Sequence, residues 1–170
     1  MAQSEWPRAE RARAHTLALA AGALVPVVAA ALLGQRATIP NLAPWYASLA
    51  KPSFNPPNAI FGPVWGALYA SMVYAAWRIL RHAPAGRERR GAITLFYAQL
   101  TLNAAWSWGF FGLHRPFLGL VDIVPQWLLI LATIGRFWRL DRRAGASLVP
   151  LALWVGFAGV LNFAIWRLNA

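Results

Sequence analysis

Five apolar stretches, each about as long as a membrane-spanning helix, take up most of this sequence. They cover residues 16–33, 60–80, 92–113, 117–137 and 147–166. A helix needs about 20 residues to cross the roughly 30 Å hydrocarbon layer of a bilayer, because it rises about 1.5 Å per residue. Only 12% of the 170 residues are charged, about half the share of a typical soluble domain. The sequence therefore predicts an all-α protein, a bundle of five transmembrane helices.

The organisation follows from these stretches. Residues 1–15 form a short cytoplasmic N-terminal arm, and residues 16–170 form the transmembrane domain. The longest connection, residues 34–59, is rich in proline and asparagine, and loops of that length are commonly functional. The first stretch follows three arginines and could be a cleaved signal peptide. We favour a retained helix, because the stretch is long for a signal peptide and the later spans need a partner.

The basic residues predict the orientation of the bundle. With five spans, twelve of the 16 Lys and Arg residues fall on the side of the N-terminal arm. The other side has only Arg36, Lys51, Arg115 and Arg167. Loops rich in Lys and Arg stay in the cytoplasm, so the N-terminus is predicted inside and the C-terminus outside. These charges separate apolar stretches and form no patch of their own, so the net charge of +11 does not indicate nucleic-acid binding.

Polar side chains within the spans collect in the outer half of the bundle, beneath the long loop. They are Gln99, Asn103, Asp122, Gln126 and Asn162. Such groups are costly in hydrocarbon, so each needs a reason to be there. They could bond to one another and fix helix packing, or they could line a ligand cavity covered by the loop. The residues alone leave both interpretations open.

Ten tryptophans are the other unusual feature. Five lie deep in the spans, where an indole can serve packing or offer a flat surface to a large aromatic ligand: Trp65, Trp106, Trp108, Trp127 and Trp154. The three histidines, His15, His82 and His114, lack the spacing of a metal site, and there is no cysteine. No pattern joins serine, histidine and aspartate into a catalytic triad. The sequence therefore predicts no metal site and no conventional catalytic site.

Several motifs, in order along residues 40–170, carry a resemblance to a known family. They are Trp45-Tyr46-x-x-Leu49-x-Lys51-Pro52-x-Phe54-Asn55-Pro56-Pro57, Phe61-x-Pro63-x-Trp65-x-x-Leu68-Tyr69, Phe96-Tyr97-x-Gln99-x-x-x-Asn103-x-x-Trp106, Phe110-Phe111-Gly112, Asp122, Trp154-x-x-Phe157-Ala158-x-x-Leu161-Asn162 and Trp166-Arg167. This combination resembles the tryptophan-rich sensory protein/translocator protein (TspO/MBR) family, in its bacterial form.

The resemblance implies a five-helix bundle, a homodimer in many relatives, in the inner membrane of a bacterium. It implies binding of porphyrins or haem as ligands, with no obligatory cofactor, and of cholesterol in animal relatives. By position, the implied pocket residues are Tyr46, Pro56, Trp65, Asn103, Trp154, Ala158 and Leu161. We add Asp122 because of its depth. Small residues of the third span, Ala105 and Gly109, are the predicted dimer contact.

The sequence departs from the family at three positions. Ser53 stands where some bacterial relatives have a tryptophan implicated in porphyrin contact, and Leu118 stands where animal relatives have a pocket tryptophan. Phe163 replaces the tyrosine of the animal cholesterol motif, although Arg167 is kept.

Four interpretations of the function remain open. The protein could be a tetrapyrrole sensor, regulator or carrier. It could be an enzyme that degrades porphyrin in light through radicals on Trp45 and Trp154. It could also bind a sterol or lipid, or serve only as a structural membrane protein.

Overall fold

The fold is a bundle of five long helices. A computed structural model describes residues 6–170, with side chains from residue 9 onward. The helices are α1 (Trp6–Thr38), α2 (Asn58–His82), α3 (Arg87–Ser107), α4 (Pro116–Leu140), the short α5 (Arg142–Ser147) and α6 (Val149–Leu168). No β-strand occurs within residues 6–170. The predicted all-α, five-helix architecture is confirmed.

Four segments are long and apolar enough to cross a membrane. These are residues 9–46, 58–82, 116–140 and 142–168. The remaining long helix, α3, continues as a π-helical turn over Trp108–Gly112, so its length also suffices for a crossing. It is less apolar because its first turn is charged and because Gln99 and Asn103 lie in its interior. The protein is a multi-pass membrane protein.

Two helix bounds differ from the sequence prediction. Helix α1 begins at Trp6 and not near residue 16, because the alanines and arginines before the apolar stretch are good helix formers. Hydropathy locates the entry into lipid and not the start of the helix. At its other end α1 reaches Thr38, followed by a 3₁₀ turn over Ile39–Asn41 and a π-helical turn over Leu42–Tyr46. Only residues 49–57 of the predicted long loop lack helical structure.

The tight hairpin predicted between the third and fourth spans is present. Only residues 113–115 separate the π-helical turn that continues α3 from the start of α4. His114 turns the chain with a φ of 55°, in the left-handed region where histidine is tolerated better than most residues. The outer ends of α3 and α4 therefore lie side by side.

The inner half of the bundle is closed where α1 meets α2 and α3. Gly22 of α1 approaches Leu80, whose Cδ1 lies 3.4 Å from the position of an added Cβ. The Tyr97 hydroxyl of α3 donates to the Gly22 carbonyl at 2.8 Å. Ala23 and Val27 of α1 are buried. Small residues let membrane helices approach closely, so α1, α2 and α3 pack tightly together at this level.

A polar corner ties α2 to the α4–α5 turn. Asp141 accepts hydrogen bonds from the backbone N–H groups of Arg143 (2.9 Å) and Ala144 (3.1 Å), and so caps α5. Its other oxygen pairs with the guanidinium of Arg78 at 2.6 Å. The hydrogen bond from Arg78 holds the pKa of Asp141 below its usual value, so this carboxylate stays charged at neutral pH.

The two residues of the predicted dimer contact on α3 differ in their surroundings. Ala105 is exposed and remains free for a partner helix. Gly109 is used within the chain, since an added Cβ would lie 3.5 Å from Leu118 of α4. This glycine packs within the α3–α4 hairpin, and the dimer contact stays a prediction.

Candidate functional site

A cavity of about 480 Å³ lies beneath the first loop, in the half of the bundle that is predicted to be the outer one. Its volume lies in the range of small-molecule sites, roughly 300–1,000 Å³. Helices α1, α2, α3, α4 and α6 all contribute to its wall, together with the π-helical turn that ends at Tyr46. Of the described residues that line it, none carries a charge. The cavity therefore suits an uncharged, largely apolar body.

An aromatic wall comes from α2 and α6. Phe61, Trp65 and Tyr69 recur every four residues, so they share one face of α2, and all three line the cavity. The rings of Trp65 and Tyr69 lie 5.4 Å apart at 32°. Trp154 of α6 meets Phe61 edge-on at 5.7 Å. These rings present extended π surfaces to the cavity.

A second aromatic group closes the outer end of α3. Trp106 stacks on Phe110 at 5.1 Å and 22°, and Phe110 meets Phe111 at 4.8 Å. All three line the cavity. The π-helical turn over residues 108–112 inserts an extra residue into the helix, which places both phenylalanines on the inner side. Phe110 and Phe111 are accordingly buried.

The polar groups in the cavity wall bond mostly to aromatic donors. The Tyr69 hydroxyl donates to Asn103 Oδ1 at 3.0 Å. The Trp106 indole N–H donates to Asn162 Oδ1 at 3.0 Å, and Asn162 Nδ2 donates to the Pro116 carbonyl at 2.8 Å. These amides fix helix packing, as one of the two interpretations of the sequence required, and they also line the cavity.

Two buried donors of the wall have no partner. Gln126 is 2% exposed, and its Nε2 atom makes no hydrogen bond, nor does the indole Nε1 of Trp154. A buried donor without a partner costs about 1–3 kcal/mol. The two groups are therefore available to a ligand that brings an acceptor atom.

The loop above the cavity is fastened from two sides. Tyr46, 5% exposed, donates its hydroxyl hydrogen to Asn55 Oδ1 at 3.0 Å. The Lys51 ammonium lies 4.7 Å from the centre of the Tyr46 ring. Asn169, just past α6, pairs with both backbone groups of Ala50, accepting from its N–H at 3.0 Å and donating to its carbonyl at 2.9 Å. These contacts hold the loop down over the cavity.

Six of the eight residues predicted to bind ligand line this cavity. They are Tyr46, Trp65, Asn103, Trp154, Ala158 and Leu161. Pro56 lies in the loop, where its carbonyl accepts from Asn55 Nδ2 at 3.0 Å, and does not line the cavity. Asp122 does not line it either, because on α4 the lining residues are Ile123 and Gln126. It is half-buried, and its Oδ2 atom has no partner.

Among the lining residues that the sequence prediction omitted are five aromatic residues, Phe61, Tyr69, Trp106, Phe110 and Phe111, and the amides Gln126 and Asn162. Phe61 and Tyr69 lie four residues before and after Trp65, so the helical period alone could have identified them. Trp106 and Gln126 were recognised as deep side chains and not assigned to the site. In contrast, the deep Trp108 and Trp127 are 47% and 38% exposed and do not line the cavity.

Trp45 lies outside the cavity. Its ring stacks on His114 at 4.5 Å and 15°, and it meets Phe110 edge-on at 5.7 Å. His114 Nε2 in turn lies 2.6 Å from Asn41 Oδ1. Trp45 and His114 thus join the first loop to the α3–α4 turn, and neither lines the cavity.

Comparison with known proteins identifies the family. The sequence profile of the TspO/MBR family matches residues 22–167, which include every residue that lines the cavity. The chain belongs to the TspO/MBR family.

Named relatives in this family come from bacteria and animals. The chain is 44% identical over 131 residues to tryptophan-rich protein TspO of Chlorobaculum tepidum, covering 76% of this chain and 83% of the relative. It is 39% identical over 142 residues to protein CrtK of Rhodobacter capsulatus, covering 84% and 89%. It is 35% identical over 126 residues to the translocator protein of Homo sapiens, covering 74% and 75%.

Proposed function

We propose that this TspO/MBR protein binds a tetrapyrrole, a porphyrin or haem, in the outer cavity and acts as a sensor, regulator or carrier of it. The observation that carries the proposal is the uncharged cavity of about 480 Å³, walled by aromatic rings from α2, α3 and α6. A macrocycle is flat, aromatic and apolar, and stacking on indole and phenyl rings suits such a body.

The acidic groups of a porphyrin need a different environment. An ionised carboxylate is costly in an apolar site without a partner, so we place the propionates at the outer rim. Lys51 and Arg115 are the basic residues for this role. Lys51 is adjacent to the wall, because its ammonium lies over the ring of Tyr46. Arg115 is exposed at the α3–α4 turn.

We propose an N-terminus in the cytoplasm and a C-terminus outside, in a bacterial inner membrane, which puts the cavity in the outer leaflet. This placement rests on the excess of Lys and Arg at one end of the bundle. A reporter enzyme that works only in the cytoplasm should be active when it is fused at Arg87 and inactive when it is fused after Ala170. The opposite pattern would reverse the placement.

The binding experiment is a titration of the purified protein in lipid nanodiscs with metal-free protoporphyrin and, separately, with haem. We expect saturable binding of both, with dissociation constants within a few-fold of each other. A haem held through its iron needs an axial ligand such as histidine, cysteine or tyrosine. Among the described lining residues there is no histidine, and the hydroxyls of Tyr46 and Tyr69 already donate to Asn55 and Asn103.

The control for the titration is His114→Ala, which changes the nearest outer histidine without touching the cavity wall. It should leave both dissociation constants unchanged. Absence of saturable protoporphyrin binding would contradict the proposed function. A different outcome would be haem binding about a hundredfold tighter than protoporphyrin binding, or about 2.7 kcal/mol, and lost in His114→Ala. That result would show that the protein recognises the iron.

Binding is favoured over light-driven degradation by the position of one indole. The degradation hypothesis needs Trp45 and Trp154 at the ligand, and only Trp154 lines the cavity. The protoporphyrin complexes of the parent and of the Trp154→Phe variant should be illuminated in air. We expect the same products from both. Sterol binding remains an alternative for the same apolar cavity, and competition by cholesterol in the titration distinguishes it.

A further inference from the structure

One side of the cavity wall is open to the surroundings of the bundle. Most of the described residues that line the cavity are buried or half-buried. Among them, five are exposed: Gln35, Ile39, Asn58, Gly62 and Gly66. Gln35 lies in the last turn of α1, and Ile39 directly follows that helix. Asn58, Gly62 and Gly66 lie in the first turns of α2. The opening is therefore a slot between the outer ends of α1 and α2.

The slot follows one face of each helix. Asn58, Gly62 and Gly66 recur every four residues and so lie in one row on α2. From Asn58 to Gly66 the helix rises about 12 Å, which is the length of the slot along the membrane normal. A Cβ added at Gly62 or Gly66 would meet no atom within 4 Å. These two glycines thus border open space and are not needed for helix contact.

The surroundings of the slot are lipid. Its two borders carry exposed apolar side chains, Leu32 and Leu33 on α1 and Ile60 on α2. Helix α2 has 25 residues, of which about 20 are needed to cross the hydrocarbon layer. Gly62 and Gly66 therefore lie within the outer part of that layer, below the polar residues Gln35 and Asn58 at or near its edge.

The route from the outer solution is the more obstructed one. The loop over the cavity is held by the paired hydrogen bonds between Asn169 and Ala50 and by that between Tyr46 and Asn55. A ligand that came from water would have to break these contacts. A ligand dissolved in the bilayer would meet glycines and open space at the slot.

We propose that the cavity is loaded and emptied sideways, from the outer leaflet of the membrane, through the slot between α1 and α2. The inference rests on the proposed ligand site and adds the class of ligand and the direction of its entry. Entry through the slot selects flat molecules that partition into lipid and present an apolar edge to the slot. Their acidic groups lie at the opposite edge, near the membrane surface. Tetrapyrroles with vinyl, ethyl or longer hydrocarbon substituents on one edge fit this description.

The test is a stopped-flow measurement of protoporphyrin binding and release in nanodiscs, with Gly62→Leu and Gly66→Leu as slot variants. A side chain that blocks a passage raises the barrier in both directions. Association and dissociation rates should therefore both fall about tenfold or more, whereas a leucine that only disturbed the bound ligand would raise the dissociation rate. The matched control is Gly135→Leu, because Gly135 is also exposed, has open space around it and does not line the cavity.

A second variant tests the competing route through the loop. Asn169→Ala removes the hydrogen bonds to Ala50 and should leave both rates within about twofold of the parent if entry is lateral. Rates that rise strongly in Asn169→Ala, while Gly62→Leu and Gly66→Leu behave like Gly135→Leu, would overturn the proposal. Failure of the parent to bind protoporphyrin at all would refute the proposed function, so the two failures are distinguishable.

A reversible block guards against misfolded variants. The chain has no cysteine, so Gln35→Cys with Gly62→Cys introduces the only two thiols, one on each border of the slot. A cleavable bifunctional thiol reagent should slow binding and release, and cleavage should restore both rates in the same sample. Unchanged rates in the crosslinked protein would also overturn lateral entry.

Discussion

Replacement of Trp65 and Trp154 together by alanine is expected to weaken protoporphyrin binding by about thirtyfold. The two indoles come from different helices and both line the cavity. A stacking contact with an aromatic ring contributes about 1 kcal/mol beyond its buried area. Two such contacts give about 2 kcal/mol, or roughly thirtyfold in the dissociation constant. Each single variant should lose several-fold.

The measurement is a titration followed by the absorbance of the porphyrin, since removal of tryptophans alters protein fluorescence. The matched controls are Trp108→Ala and Trp138→Ala, because these indoles are 47% and 45% exposed and lie outside the cavity. Both should bind protoporphyrin like the parent. If the double variant folds and also binds like the parent, the ligand does not occupy this cavity.

The sequence could predict the number and type of the spans because the physical signal for them is strong. Hydrocarbon excludes charge over about 20 residues, and every loop that carries Arg or Lys marks a limit of a span. The ends of the helices leave a weaker signal in the sequence. The residues before the apolar stretch of α1 differ from those of a loop only in their helix propensity. The same weakness made residues 34–46 look like loop, although most of them are helical.

Residues of the cavity wall were predictable where a motif and a helical face agreed. Trp65 and Asn103 lie on inward faces of α2 and α3, and both line the cavity. Asp122 failed this second criterion: its depth suggested a site residue, but the cavity-facing positions of α4 are Ile123 and Gln126. Successive residues of a helix are rotated by about 100° about its axis. The depth of a residue in the membrane therefore does not tell whether its side chain faces the cavity.

Other features of the site depend on contacts between distant parts of the chain. The pairing of Asn169 with Ala50 joins residues 119 positions apart, and nothing local in either segment indicates it. The stack of Trp45 on His114 likewise depends on the α3–α4 turn meeting the first loop. The approach of α1 to α2 at Gly22 and Leu80 likewise joins residues that are far apart in the chain.

The close approach of α5 to the end of α4 leads to the second large expected effect. An added Cβ at Gly145 would lie 2.8 Å from both the backbone nitrogen and the Cα atom of Trp138, and 3.0 Å from its Cβ. These are main-chain atoms or are rigidly attached to the main chain, so they cannot move aside as the end of a flexible side chain could. Gly145→Ala must therefore displace one helix relative to the other.

We expect Gly145→Ala to destabilise the fold by about 1–3 kcal/mol, the usual cost of overpacking. The control is Gly135→Ala, because Gly135 is also helical and an added Cβ there meets nothing within 4 Å. Alanine there should instead stabilise by roughly 0.5–1 kcal/mol, since glycine weakens a helix interior. Thermal unfolding of the two variants in the same detergent should thus shift the melting temperature in opposite directions. Equal melting temperatures would show that α5 yields freely, and the turn held by Asp141 and Arg78 would not be a rigid corner of the bundle.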